Sequence, residues 1–101
     1  MIRHIVLFRF KDQAEGRTKE ENVAKTRAML DALPEKIDWI RRTETRVNTD
    51  GASPENADLI LISDFDSLED LERYQVHPDH KAVGAFMRPL RESRAAIDFT
   101  L

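Results

Sequence analysis

The sequence contains no cysteine, only three glycines and four prolines, and a single tyrosine and a single tryptophan among 101 residues. The absence of cysteine excludes disulfides, thiolate zinc sites and cysteine-ligated iron–sulfur clusters. It agrees with a reducing compartment, so we expect a cytoplasmic protein. The scarcity of glycine and proline argues against a fibrous or loop-dominated chain.

Membrane and nucleic-acid partners are also not expected. No apolar run approaches the ~20 residues of a membrane-spanning helix, and a strand pattern begins at Ile2, where a signal peptide would otherwise lie. The 16 basic and 19 acidic residues are distributed throughout the chain and give a net charge of −3. Without a basic tract there is no footprint for a nucleic acid.

Length and composition predict one globular domain spanning residues 1–101. This length is close to the commonest domain size, and a core can form without disulfides or a structural metal. A hydrophobic content of 41% with 35% charged residues is typical of a soluble globular protein.

The first half of the chain predicts strand, helix, strand and loop. Residues 2–11 are apolar on both alternating faces in the middle, as in a strand covered on both sides. Thr18 and Glu21 form a capping box that starts a helix, and Pro34 should end that helix nearby. Residues 39–47 predict a charged edge strand, followed by a loop over residues 48–57.

The second half predicts strand, broken helix and strand. Residues 59–62 are entirely apolar and indicate a central strand buried on both faces. Ser67 caps a second helix, which should break at His77 and Pro78. Residues 95–101 alternate as a last strand. The inner side of the second helix is predicted to carry Leu68, Leu71 and Tyr74.

The resulting order β-α-β-β-α-β is that of the ferredoxin-like plait, an α+β fold with an antiparallel four-stranded sheet and helices on one face. The other sheet face would expose aliphatic residues of the first and third strands. Such a patch is too large for most monomers, so we predict a symmetric homodimer.

The candidate functional site is the segment from Tyr74 to His80, which holds two of the three histidines and the only tyrosine. His80 lies on the inner stripe of its helix and can meet His4 if the first strand turns His4 toward the helices. Tyr74 could then face the same space. The apolar walls of such a small-molecule pocket would be Val6, Phe8, Val83, Met87 and Leu90.

This trio suits proton transfer, with His80 as a general base and the Tyr74 hydroxyl as a donor to a developing oxyanion. No nucleophile motif, phosphate-binding loop or cofactor fingerprint is present, so the reaction would need no cofactor. The structural alternative is that His4, Tyr74 and His80 are ordinary core groups and that His77 braces the new helix. A metal site of His77, His80 and Asp79 is a further alternative.

Three parts of the chain resemble the stress-responsive A/B barrel (Dabb) family. They are residues 2–11, the segment 64–71 followed by Tyr74, His77-Pro78 and His80, and the ending with residues 87–90 and 97–99. The resemblance covers essentially the whole chain. It implies a dimeric α/β barrel of two ferredoxin-like subunits.

The resemblance also implies candidate activities. Plant members include stress-associated proteins and a polyketide cyclase that closes a ring by aldol-type chemistry without a cofactor. Its catalytic tyrosine and histidine match Tyr74 and His80, and its strand histidine matches His4. A further pocket tyrosine of that cyclase falls at about Thr26. The function we expect is therefore a cyclase-like lyase acting on a hydrophobic carbonyl compound, with a non-enzymatic binding or stress-protective module and a cofactor-independent monooxygenase as alternatives.

Overall fold

The sheet of this protein carries all its long helices on one face, as the computed structural model of residues 1–101 shows. The elements are β1 (Ile2–Phe10), β2 (Gln13–Ala14), β3 (Arg17–Thr18), α1 (Lys19–Lys36), β4 (Arg42–Val47), β5 (Leu59–Phe65), α2 (Leu68–Gln75), α3 (Pro78–Met87) and β6 (Arg91–Thr100). The four long strands are antiparallel in the order β4-β5-β1-β6. The predicted ferredoxin-like plait is confirmed.

Helix α1 begins where the capping box predicts. The Thr18 hydroxyl accepts a hydrogen bond from the Glu21 N–H, and the Glu21 carboxylate accepts one from the Thr18 N–H. Pro34 lies inside the last turn and the helix continues to Lys36. Proline has no N–H to donate to the Leu30 carbonyl, and the helix ends two residues later, near the predicted place.

Helices α2 and α3 meet at the predicted break. The Ser67 hydroxyl caps α2 by accepting from the Asp70 N–H, and His77 caps α3 with Pro78 in the first turn. The prediction that Leu68 faces inward is wrong, because it is 57% exposed. It occupies the first position of α2, and the inner stripe begins one turn later with Leu71 and Tyr74.

Two strand starts differ from the sequence prediction, and one small hairpin was not predicted. β4 begins at Arg42 rather than at residue 39, and β6 begins at Arg91 rather than at residue 95. The polar connection after β1 contains the small β2–β3 hairpin, whose tip residues Glu15 and Gly16 both have positive φ. These are the backbone angles of a type I′ turn.

The strands divide the sheet into a covered and an open face. Under the helices, β1 and β5 bury their alternate apolar side chains in a core of 16 residues. On the open face Leu7 is 41% exposed and Ile97 is 61% exposed, while Ile60 and Ile62 are half-buried. The expectation that β5 is buried on both faces therefore does not hold within one chain.

None of the three helices combines the length and apolar character required to cross a membrane.

Candidate functional site

His4 lies on the helix-covered face of β1, as the site prediction requires, and its side chain is 3% exposed. The strand register places it between Ser63 on β5 and Asp98 on β6. Its Nδ1 lies 2.5 Å from an Asp98 carboxylate oxygen. A carboxylate only accepts, so Nδ1 carries the proton and Nε2 is directed away from this bond.

His80 occupies the first turn of α3 and is half-buried. Its Nδ1–H donates to the carbonyl oxygen of Gln75, the last residue of α2, over 3.0 Å. In the neutral ring Nε2 then holds the free lone pair that a general base needs. The hydrogen bond between His80 and Gln75 can form because the helix break brings the end of α2 close to the start of α3.

The electrostatic surroundings of His80 keep its ring neutral. Burial lowers the pKa of His80, the hydrogen bond to Gln75 raises it, and the charges of His4, Arg94 and His77 lower it further. The balance lies below the ordinary value, so His80 remains a base into mildly acidic solution.

Tyr74 lies between these histidines. The Tyr74 ring centroid is 4.4 Å from that of His80 and 6.5 Å from that of His4, and it packs on Phe65 at 4.9 Å. Burial raises the pKa of Tyr74, whose side chain is 1% exposed. The phenol therefore stays protonated and can only act as a neutral hydrogen-bond donor or acceptor.

Three polar atoms of this cluster have no partner within the chain: His4 Nε2, the Tyr74 hydroxyl and His80 Nε2. The side-chain polar atoms that are both unpaired and fully enclosed are Thr26 Oγ1 and Ser63 Oγ. The three cluster atoms are outside that group, so each keeps some contact with solvent.

The five side chains predicted as pocket walls all belong to the hydrophobic core. Their exposures are Val6 1%, Phe8 5%, Val83 4%, Met87 3% and Leu90 0%. Two surface grooves, of about 700 and 500 Å³, lie elsewhere, one between α1 and the β4–β5 connection and one at the β4 end of the open face. The side chains predicted as walls of an open pocket are therefore closely packed core residues.

A stack of aromatic and charged groups fixes the helix break that positions Tyr74 and His80. The Trp39 indole N–H donates to the Asp70 carbonyl over 3.0 Å, and the Arg73 guanidinium lies 4.0 Å from the Trp39 ring centroid. The His77 ring is 5.7 Å from Trp39. These contacts tie α2 and the start of α3 to the connection after α1.

His77 has the bracing position that the structural alternative predicts. Its Nδ1 accepts a hydrogen bond from the Asp79 N–H over 3.1 Å, so this nitrogen is already used. No group of three or more His, Cys, Asp or Glu side chains is arranged to hold a metal ion. The sequence-based ligand set of His77, His80 and Asp79 is not assembled.

Sequence reasoning missed two residues beside the trio, Asp98 and Arg94 of β6. Asp98 bonds His4, and Arg94 is among the charges that lower the pKa of His80. Their alternation along β6 is readable from the sequence, but the register that places Asp98 opposite His4 is not.

In comparisons with known proteins, residues 2–101 match the Stress responsive A/B Barrel Domain family. No match was found among curated proteins. The chain is similar to a dimeric protein of unknown function with a ferredoxin-like fold from Bacteroides fragilis, with 34% identity, a TM-score of 0.87, and coverage of 99% of this chain and 95% of that chain.

Two further solved structures share the fold. A dimeric ferredoxin-like protein of unknown function from Thermobifida fusca is 31% identical over 99% of this chain and 90% of that chain, with a TM-score of 0.83. The hydroxynitrile lyase of Passiflora edulis is 16% identical over 99% of this chain and 92% of that chain, with a TM-score of 0.82. At that identity the likeness to the lyase concerns the fold alone.

Proposed function

We propose that this chain, which belongs to the stress responsive A/B barrel domain family, catalyses cofactor-free proton transfer of the cyclase or aldol type on a hydrophobic carbonyl compound. The observation that carries the proposal is the cluster of His80, Tyr74 and His4. The Tyr74 ring centroid lies 4.4 Å from that of His80 and 6.5 Å from that of His4, and the Tyr74 hydroxyl and both Nε2 atoms have no hydrogen-bond partner within the chain.

His80 is the general base of the proposed reaction. Its Nε2 takes a proton from the carbon next to the substrate carbonyl, and the electron pair of that C–H bond moves to form an enolate. Tyr74 donates a hydrogen bond to the enolate oxygen, an interaction that strengthens as charge develops. His4, held by Asp98, orients the substrate through Nε2.

Ring closure follows within the same substrate. The enolate carbon attacks a second carbonyl carbon, and the resulting alkoxide takes the proton back from the His80 imidazolium, so that no net proton or electron is consumed. The proposed apolar contacts of the substrate are with Val6, Phe8, Val83, Met87 and Leu90. Because each is at most 5% exposed, this contact requires the side chains to move apart when the substrate binds.

Exchange of substrate protons with solvent tests the first step without knowledge of the natural substrate. The parent protein is incubated in D₂O with a panel of hydrophobic ketones, namely phenylacetone, 1-indanone and 4-acetylbenzamide, and the α-proton signals are followed by NMR. We expect exchange above the buffer rate, and a loss of about 10²-fold or more in His80→Ala.

Lys81→Ala is the matched control, since Lys81 follows His80 on α3 and its side chain is exposed. It should retain most of the exchange rate. Exchange no faster than in buffer for the whole panel, or equal rates in the parent and His80→Ala, would show that the proposed chemistry is wrong.

A non-enzymatic binding module is the second candidate. The close packing of the predicted pocket walls favours it. Phe8 and Met87 are 5% and 3% exposed, so they fill space that a bulky substrate would need. Saturable binding of the panel ketones, seen as chemical-shift changes at Tyr74 and His80 with α-proton exchange at the buffer rate, would identify this function.

We propose further that two copies associate through the open sheet face. Ile5, Leu7 and Ile62 form an apolar surface there that continues onto β6 through Ile97 and Phe99. Association would remove these side chains from water, and a self-complementary patch gives a closed two-fold pair. The relatives from Bacteroides fragilis and Thermobifida fusca are described as dimeric.

A further inference from the structure

The edge strand β6 provides a charged side of the site that the proposed mechanism does not use. In the register with β1, Asp98 lies opposite His4, Ala96 opposite Val6 and Arg94 opposite Phe8. These three β6 residues share the helix-covered face, yet all are exposed because the helices do not extend over this edge. The open edge of the site is therefore bordered by one anion and one cation.

Arg94 differs from most arginines of the chain in having no partner. Seven others form ion pairs with carboxylates: Arg3, Arg9, Arg27, Arg41, Arg42, Arg46 and Arg73. Arg17 donates to Asn22 and lies over the Phe86 ring. The remaining three are Arg88, Arg91 and Arg94, and of these only Arg94 is among the charges acting on His80.

We propose that Arg94 binds a carboxylate of the substrate or ligand, so that the molecule recognised at this site is an anionic hydrophobic carbonyl compound. The guanidinium fork matches a carboxylate with two parallel hydrogen bonds. This assignment rests on the proposed site of His4, Tyr74 and His80, because it is the carbonyl end of the same molecule that reaches them.

The neighbouring acid does not oppose an anion at Arg94. Asp98 is on the same strand face, four residues from Arg94, a Cα separation of about 13 Å in an extended strand. Its charge is partly balanced by the hydrogen bond from His4. The separation also exceeds the screening length of about 8–10 Å at physiological salt, so the attraction of the guanidinium dominates.

Bound anion and base act on each other. The positive charge of Arg94 lowers the pKa of His80 when no anion is present, in company with His4 and His77. A carboxylate on Arg94 offsets this effect, so the base becomes stronger when the substrate is bound. The other groups against His80 are the Tyr74 phenol and the Gln75 carbonyl.

A matched pair of ligands tests the assignment: 4-acetylbenzoate carries the carboxylate, and 4-acetylbenzamide is its neutral counterpart. Dissociation constants are measured by NMR titration of the parent, Arg94→Ala, Arg94→Lys and Arg88→Ala. We expect the parent to bind the carboxylate about tenfold more tightly than the amide, an advantage that decreases at high salt.

Arg94→Ala should remove the advantage, Arg94→Lys should keep part of it, and Arg88→Ala should leave it unchanged. Equal affinities for carboxylate and amide in the parent, an advantage that persists in Arg94→Ala, or no binding of either ligand at millimolar concentration would overturn the assignment.

The outcomes separate this inference from the proposed reaction. An Arg94-dependent preference for the carboxylate without any acetyl-proton exchange supports the anion site and contradicts the proton transfer. Exchange of the amide in the parent, with no preference for the carboxylate, supports the reaction and contradicts the role of Arg94.

Discussion

At the scale of single residues, the chain keeps polar groups in places that stability alone does not favour. Tyr74 is 1% exposed and its hydroxyl has no partner in the protein. A buried polar group without a hydrogen bond costs about 1–3 kcal/mol. Phenylalanine would fill the same space without an unpaired hydroxyl, and the proposed contact with a ligand would account for the tyrosine.

Tyr74→Phe should therefore separate stability from function. We expect the free energy of unfolding to stay equal to that of the parent or to rise by up to about 1 kcal/mol, because an unpaired hydroxyl is removed. The α-proton exchange rate should fall at least tenfold, because the oxyanion donor is lost. Urea unfolding and the exchange assay measure the two effects. A large loss of stability with unchanged exchange would contradict the role given to Tyr74.

The lowered pKa of His80 determines the direction in which both the exchange rate and the stability change with pH. The acid limb of the exchange rate should lie below the ordinary histidine pKa of about 6.5. Arg94→Ala should move this limb upward, since a nearby positive charge is removed, while Arg88→Ala should not. A limb that is identical in the parent and Arg94→Ala would mean that the Arg94 charge does not reach His80.

The free energy of unfolding depends on the protonation of His80 as well. The unfolded chain binds a proton at His80 more readily than the folded chain, so the contribution of His80 is present above the unfolded pKa. It is lost as pH falls through the lower folded pKa. His80→Gln should flatten this part of the stability profile.

At the scale of elements, the break between α2 and α3 places His80, the proposed base. His77 caps α3, Pro78 occupies its first turn, and the bond from His80 to the Gln75 carbonyl joins the two helices. The chain thus obtains a fixed histidine from a turn of local interactions rather than from a loop.

Removing the two caps should give different results. His77→Ala and Ser67→Ala should each cost about 0.5–1 kcal/mol of unfolding free energy, because each leaves an N–H without its acceptor. Only His77→Ala should also shift and broaden the NMR signals of the His80 ring. Equal His80 spectra in both variants would mean that the cap does not position the base.

The sequence predicts elements whose signals are local. Thr18 with Glu21, Ser67 with Asp70, and the pair His77-Pro78 begin helices through bonds within one turn, and the structure has them. The β2–β3 hairpin was missed although Glu15-Gly16 is a turn signal, because its strands have only two residues each. The first residues of β6 are polar and are held as a strand by pairing with β1.

Site residues that depend on the pairing of distant strands could not be predicted from the sequence. His4, Tyr74 and His80 could be proposed from residue type and spacing. The partnership of Asp98 with His4 depends on the β1–β6 register, which joins residues 94 positions apart. No alternation pattern states which residue of a strand lies opposite which residue of another.

At the scale of the whole molecule, the open sheet face is the principal unexplained surface of a single chain. It spans β4, β5, β1 and β6, and its apolar centre is flanked by the Arg3–Asp64 ion pair and by the charged edge strand β4. The open face thus has an apolar centre and a polar rim, as protein interfaces do.

Ile97→Lys should convert the proposed dimer to a monomer, because the substitution introduces a charge into the apolar surface of the open face, beside Ile5. Leu68→Lys is the control, since Leu68 is 57% exposed and lies on a helix instead. Sedimentation velocity at micromolar concentration should give a dimer for the parent and Leu68→Lys and a monomer for Ile97→Lys. A parent that sediments as a monomer would contradict the proposal.

Strand β6 alternates between two roles, because Ile97 and Phe99 face the open side of the sheet while Arg94 and Asp98 border the site. Association through the open face therefore acts on the same strand that carries Arg94 and Asp98, and any coupling between association and ligand binding is reciprocal. Ligand affinity should then weaken on dilution of the protein. Ligand binding at the proposed site would then depend on whether a second subunit is bound to β6.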